Sequence, residues 1–108
     1  MNTRISATMF EQVYDIILER KQNSLENSYV ASLLEKGTDS ILKKIGEESA
    51  EVILAAKNEN RKEQIQEITD LWFHILVLMG HQGITLNEIS QELEHRLGQS
   101  GLEEKAQR

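Results

Sequence analysis

Apolar residues recur at helical spacing along most of the chain. Over residues 6–22 they fall at Met9, Phe10, Val13, Ile16, Ile17 and Leu18, which predicts an amphipathic first helix. The polar run from Gln22 to Asn27 interrupts it. Ser28 is placed to cap a short helix through Leu34, Gly37 to stop that helix, and Thr38 to act as the next N-cap. A helix over about 39–58 carries Ile41, Ile45, Val52 and Ala56 on one stripe. Asn60 and Glu63 have capping-box spacing at the start of a helix over 61–82, which Gly83 ends. Thr85 and Glu88 form a clearer capping box, with Ile84 and Ile89 placed as its hydrophobic staple. They open a last helix that ends near Gly98. The pattern predicts an all-α fold, a bundle of four to five helices. Residues 1–8 and 99–108 are expected to be loosely held.

The 61–82 helix is unlike the others. From Leu71 to Met79 only His74 is polar. Ile68, Trp72, Ile75 and Met79 share one face, and Phe73 and Val77 lie nearly opposite. A helix that is apolar all round needs cover all round. A chain of 108 residues is short for that, so a second subunit is expected to supply part of the cover, on the side that carries Phe73. The alternative is a helix fully central to a monomer.

Length fits one domain over residues 1–108, and composition narrows the class. There is no proline and no cysteine, and aromatic residues make up 5%. Helices joined by short turns fit this better than a sandwich or barrel, and disulfides and thiolate metal sites are excluded. No stretch approaches the roughly 20 apolar residues of a membrane span, and the first residues do not read as a signal peptide. A cytoplasmic protein with no membrane partner is expected. The net charge of −6, without a basic stripe, argues against nucleic acid as a partner.

The candidate chemistry lies in two acidic motifs, Glu47-Glu48-Ser49-Ala50-Glu51 and Glu67-Ile68-Thr69-Asp70. Each sets carboxylates three residues apart, a spacing that stacks them on one side of a helix, where they repel unless a positive group intervenes. At about 100° per residue, Glu48 and Glu51 border the Ile41–Ile45–Val52 stripe, and Glu47 points further out. On the next helix Glu67, Asp70 and His74 lie together at the edge of an apolar face. Antiparallel packing would join the two sets into a nest of hard oxygen ligands suited to Mg²⁺ or Mn²⁺ with substrate phosphates. Solvated glutamate faces, with Lys43 and Lys44 as ordinary partners, are the competing explanation. His74 is expected to stand behind the ligands rather than among them. Lys44, one turn from Glu48, is placed to meet an anion.

The order of motifs resembles a known family. Tyr29 through Leu34, Lys36-Gly37, Ile41-Leu42-Lys43-Lys44-Ile45-Gly46-Glu47-Glu48, Glu51, Ala55-Ala56-Lys57, Glu67 with Asp70-Leu71, His74 through Leu78 and the closing Ser100-Gly101-Leu102-Glu103-Glu104-Lys105 together resemble phosphoribosyl-ATP pyrophosphohydrolases, within the wider MazG-like all-α NTP pyrophosphatases. Trp72-Phe73, Ser40 and a 23–27 loop without proline depart from the family pattern. The resemblance implies a helical homodimer that uses Mg²⁺ to cleave phosphoribosyl-ATP into phosphoribosyl-AMP and pyrophosphate, a step of histidine biosynthesis. Carried onto matching positions, Glu48, Glu51, Glu67 and Asp70 would bind the metal, with Glu47 adjoining them.

With that assignment, Glu47 or Glu51 is expected to accept the proton of the attacking water, and the sequence does not choose between them. Lys43 and Lys44 would place positive charge near the phosphates. Without a Gly-rich phosphate loop, the metal must do most of the phosphate holding. Two other functions compete. A house-cleaning (d)NTP pyrophosphatase shares the metal chemistry. A non-catalytic dimerisation module explains the apolar helix but leaves the carboxylates to coincidence.

Overall fold

The computed structural model describes residues 3–23 and 28–98, with side chains from residue 9 onward. The chain folds into five helices: α1 (Thr3–Gln22), α2 (Tyr29–Lys36), α3 (Thr38–Lys57), α4 (Arg61–Gln82) and α5 (Leu86–Gly98). The all-α expectation holds, and no described helix is long and apolar enough to cross a membrane. Helix α1 reaches back to Thr3, into the stretch expected to be loose. The 24–27 loop and the 99–108 tail lie outside the described residues.

Local chemistry explains most boundaries. The Ser28 hydroxyl accepts from the Ala31 amide at 3.1 Å, capping α2. Gly37 ends α2 and starts α3 in one residue, at φ +94° and ψ −170°. That region of backbone space is essentially reserved for glycine. A Cβ there would meet nothing within 4 Å, so conformation rather than space requires glycine. Thr38 is therefore the first residue of α3 and not its cap. Its hydroxyl is instead bonded to His81 Nε2 at 3.1 Å and accepts from Gln82 Nε2 at 3.3 Å, tying α3 to the end of α4.

The α3–α4 turn closes in three residues. Glu59 N–H donates to Ala56 O and Asn60 N–H to Ala55 O, the paired bonds of a Schellman turn, with Glu59 at φ +55°. The Asn60 side chain caps α4 by accepting from Glu63 N–H. The reciprocal half of the expected capping box has no donor available, because Asn60 N–H is already bonded to Ala55. At α5 the box forms in both directions, Glu88 N–H to Thr85 Oγ1 and Thr85 N–H to Glu88 Oε1. The expected staple residues Ile84 and Ile89 both remain exposed.

Helices α3 and α4 form the most extensive contact of the fold, and α1 and α2 cover part of them. Ile17 of α1, Ile41 of α3 and Val77 of α4 are fully buried at the centre, with Tyr14, Leu33, Leu76 and Met79 around them. Full burial of each such aliphatic side chain is worth about 1.5–3 kcal/mol. Gly80 lets α1 approach closely, since a Cβ there would lie 2.6 Å from Ile17 Cγ2. Two side chains of α1 pin the same junction. Lys21 Nζ donates to the Gly80 and His81 carbonyls at the end of α4, and the Tyr14 hydroxyl donates to Ile84 O at 2.6 Å.

On the side expected to face a second subunit, Val77 is fully buried within the chain, whereas Phe73 is half-buried, packing against the core and also lining a groove beside Trp72. The outer side carries Ile65, Ile68, Trp72 and Ile75, with Trp72 50% exposed. Periodicity finds two apolar faces on α4 but cannot say which one α1, α2 and α3 cover. Helix α5 has no buried residue and rests only lightly on the rest.

Candidate metal and phosphate site

The buried line of α3 runs through Ile41, Glu48 and Ala55, spaced by seven. Glu48 therefore stands inside the α3–α4 seam and not at its border. It is 7% exposed. Val52 is half-buried and Ala56 exposed, so the inward face is turned toward Glu48 relative to the apolar stripe. A carboxylate in such a position costs several kcal/mol unless it is paired.

Its neighbour is His74, only 4% exposed, whose Nδ1 lies 2.5 Å from Glu48 Oε1. Nδ1 is also 2.8 Å from the Asp70 carbonyl, one turn back on α4. A carbonyl only accepts, so Nδ1 carries a hydrogen, and that hydrogen is engaged by Asp70. Glu48 Oε1 is left buried without a hydrogen bond of its own. The other ring nitrogen, Nε2, is 2.8 Å from the Tyr29 hydroxyl at the start of α2. Tyr29 and Phe73 meet the imidazole edge-on, at centroid distances of 5.7 and 5.1 Å.

The remaining acids gather beside this group. Glu67 is half-buried, and its Oε1 is a second buried oxygen without a partner. Its pKa is raised, first by a hydrogen bond with the Glu51 carboxyl, then by desolvation, then by the charges of Glu51, Asp70 and Glu48. Two carboxyl groups in hydrogen-bonding contact must share a proton or a cation. Glu51 and Asp70 side chains are exposed at the mouth of the seam. Glu47 is exposed and pairs with Lys44 at 3.8 Å, so the closest partner of Lys44 is Glu47 and not Glu48. Lys43 points to solvent. The structure thus brings Glu48, Glu51, Glu67 and Asp70 within electrostatic reach of one another and leaves Glu47 and the two lysines at the rim.

Tyr29 is the residue that motif reading missed as a participant. Burial raises its pKa, Lys44 opposes that, and Glu48, Asp70 and Glu47 add to it, so the same charges surround its hydroxyl. Its partner lies 45 residues away, and no local spacing signals such a contact.

The donor set suits a hard divalent cation: all-oxygen, anionic, with two buried carboxylate oxygens lacking partners. Among the described residues, no three histidine or acidic side chains are already arranged as a closed metal cage. An antiparallel helix pair with inward carboxylates on both members defines a class of small all-α proteins organised around an acidic seam. The chain belongs to the phosphoribosyl-ATP pyrophosphohydrolase family, whose model matches residues 10–97. It is similar to the phosphoribosyl-ATP pyrophosphatase of Geotalea daltonii, with 52% identity over 100 residues, 93% of this chain and 94% of that one. The phosphoribosyl-ATP pyrophosphatase of Hydrogenovibrio crunogenus is 50% identical over 101 residues, 90% of this chain and 89% of its own. That of Clostridium botulinum is 52% identical over 88 residues, 82% and 80% of the two chains.

Proposed function

We propose that the chain hydrolyses the α–β phosphoanhydride of phosphoribosyl-ATP, giving phosphoribosyl-AMP and pyrophosphate, with a divalent cation held by Glu48, Glu51, Glu67 and Asp70. The observation that supports this best is the crowding of carboxylates in the seam: Glu48 Oε1 and Glu67 Oε1 are buried and accept no hydrogen bond, Glu48 lies against His74, and Glu51, Asp70 and Glu48 all raise the pKa of Glu67. Mg²⁺ fits the all-oxygen set, and Mn²⁺ has the same preference. When bound, the cation supplies charge neutralisation on the leaving pyrophosphate and polarises the phosphoryl oxygens.

The chain's own residues do the rest. Glu47 or Glu51, both exposed at the mouth, accepts the proton of the attacking water as the bridging P–O bond breaks. Lys44, already beside Glu47, and Lys43 one residue before it offer positive charge to the phosphates. His74 lies against Glu48 from behind, within the core, with Nδ1 2.5 Å from Oε1.

The outer face of α4 supports a homodimer. Met9, Phe10 and Val13 of α1 with Ile65, Ile68 and Trp72 of α4 line an apolar groove of about 390 Å³. Phe10 and Trp72 meet across it in a tilted contact, with centroids 5.1 Å apart. A surface of this character marks an interaction site. The proposed location is cytoplasmic, in keeping with the family's place in histidine biosynthesis.

Pyrophosphate release by the purified protein with and without Mg²⁺, on phosphoribosyl-ATP, ATP and a dNTP panel, tests the reading. Mg²⁺-dependent release that strongly favours phosphoribosyl-ATP is expected. Preference for dNTPs would point to a house-cleaning enzyme, and no release from any substrate would overturn the catalytic reading.

A further inference from the structure

His74 sits at the crossing of three polar contacts. Nδ1 faces Asp70 O at 2.8 Å and Glu48 Oε1 at 2.5 Å, both acceptors, and Nε2 meets the Tyr29 hydroxyl at 2.8 Å. In a neutral imidazole one nitrogen donates and the other accepts. With Nδ1 committed as donor, Nε2 accepts, and the phenol is the group that donates to it. Burial keeps the Tyr29 hydroxyl above its ordinary pKa, so the proton it donates is retained. The opposite tautomer would aim a bare Nδ1 lone pair at two oxygens.

We propose that Tyr29 is a positioning residue, whose hydroxyl bond to His74 Nε2 holds the imidazole in the Nδ1–H form and in the one ring orientation that sets Nδ1 against Glu48 Oε1 inside the seam. The role rests on the reading of Glu48 as a cation-binding carboxylate. The two aromatic contacts argue the same way. The Tyr29 ring stacks on Phe73 with centroids 6.4 Å apart while Phe73 also meets His74 edge-on, so the phenol is aimed by packing as well as by its bond. The Glu48 side of the imidazole belongs to α3 and α4, whereas the Tyr29 side belongs to α2. The first turn of α2 thereby controls a group that its own residues do not touch. Removing a group that directly orients a metal ligand commonly costs about 10–100-fold, and Tyr29 acts one contact further out, so the low end of that range is expected.

Tyr29→Phe keeps the ring and its stacking and removes only the bond, so the variant is expected to keep wild-type helicity with a modestly lower melting temperature. Nitrogen-15 NMR of histidine-labelled protein without ligand should show, in wild type, a protonated Nδ1 and an unprotonated, hydrogen-bonded Nε2 at His74. In Tyr29→Phe the Nε2 signal should move toward that of a free ring nitrogen. Turnover of phosphoribosyl-ATP should fall about tenfold with KM within about twofold. In a His74→Asn background, which removes Nε2, adding Tyr29→Phe should change kcat by less than about twofold if Tyr29 acts through His74.

The proposal is overturned if His74 carries hydrogens on both nitrogens, or if Tyr29→Phe leaves its signals or kcat unchanged. A rise in KM alone would make Tyr29 a substrate contact instead. A tenfold loss that persists in the His74→Asn background would show that Tyr29 does not act through the imidazole. Glu48→Gln assayed alongside separates the two layers. Full activity in that variant removes the cation-site reading and the positioning role with it, while the NMR signals still report the Tyr29–His74 bond.

Discussion

The α3–α4 seam and the outer face of α4 invert the usual rule of burial on opposite sides of one helix. The inner side encloses the carboxylate of Glu48 and the imidazole of His74. The outer side leaves Trp72 and Ile65 more than a third exposed in a surface that includes Phe10. A sequence selected for a stable monomer would exchange these environments. In the proposed function a cation with phosphates would answer the first, and a second subunit the second. The difference also separates two kinds of stress. The inner one is electrostatic and local. The outer one is hydrophobic and is relieved only by area.

The sharpest way to break the comparison is to neutralise the inner side. Glu48→Gln should lower kcat by at least about 10²-fold, because it removes charge from a site whose catalysis is electrostatic, while circular dichroism shows the helices intact. Retained turnover would reduce Glu48 to a structural partner of His74.

A charge placed on each face of α4 distinguishes them next. Trp72→Glu should give a folded monomer by sedimentation, since its site is open in the single chain. Val77→Glu should instead lower the stability of the protomer itself by several kcal/mol, since its site is fully buried. Equal effects of the two would mean that the faces are not distinct.

The third test uses pH without metal. The Glu67 carboxyl, raised by Glu51, burial and nearby acids, holds a proton that the unfolded chain releases in the ordinary glutamate range. Folding thus takes up a proton between that range and the raised value, and stability falls as pH rises through this window. Thermal melts in EDTA should show that decline, Glu67→Gln should flatten it, and Mg²⁺ should offset it in wild type. A wild-type slope equal to that of Glu67→Gln would remove the crowding argument. The smallest effect is expected at the α3–α4 turn, where Glu59→Gly relieves a left-handed glutamate and should raise stability by up to about 1 kcal/mol in denaturant titrations.

Much of the architecture was legible because it is written locally. Ser28, Gly37, Asn60, Gly83 and the Thr85–Glu88 box are short-range signals, and the described helix boundaries fall within about three residues of them. The two acidic motifs were legible for the same reason. What sequence spacing did not give was orientation. Glu48 lies deeper than its angle from Ile45 implied, because His74 on the facing helix draws the inward face toward it. Spacing did not say which apolar residues of α4 are covered within the chain, because only the placing of α1 and α2 decides that Val77 is buried and Trp72 open. Tyr29 was invisible as a participant, because its role exists only where α2 meets α4.

Gly37 gives that last meeting a mechanical character. As a single residue serving two helices, it leaves α2 no slack against α3. The eight residues of α2 form a rigid arm of about 12 Å at 1.5 Å per residue, with Gly37 as pivot and Tyr29 at the tip. A rotation of about 10° at the pivot moves the tip by about 2 Å on that arm, enough to part the phenol from the imidazole. The torsion angles of one glycine thus set the tolerance to which a contact on another helix is held, with leverage working against any residue that would shift them.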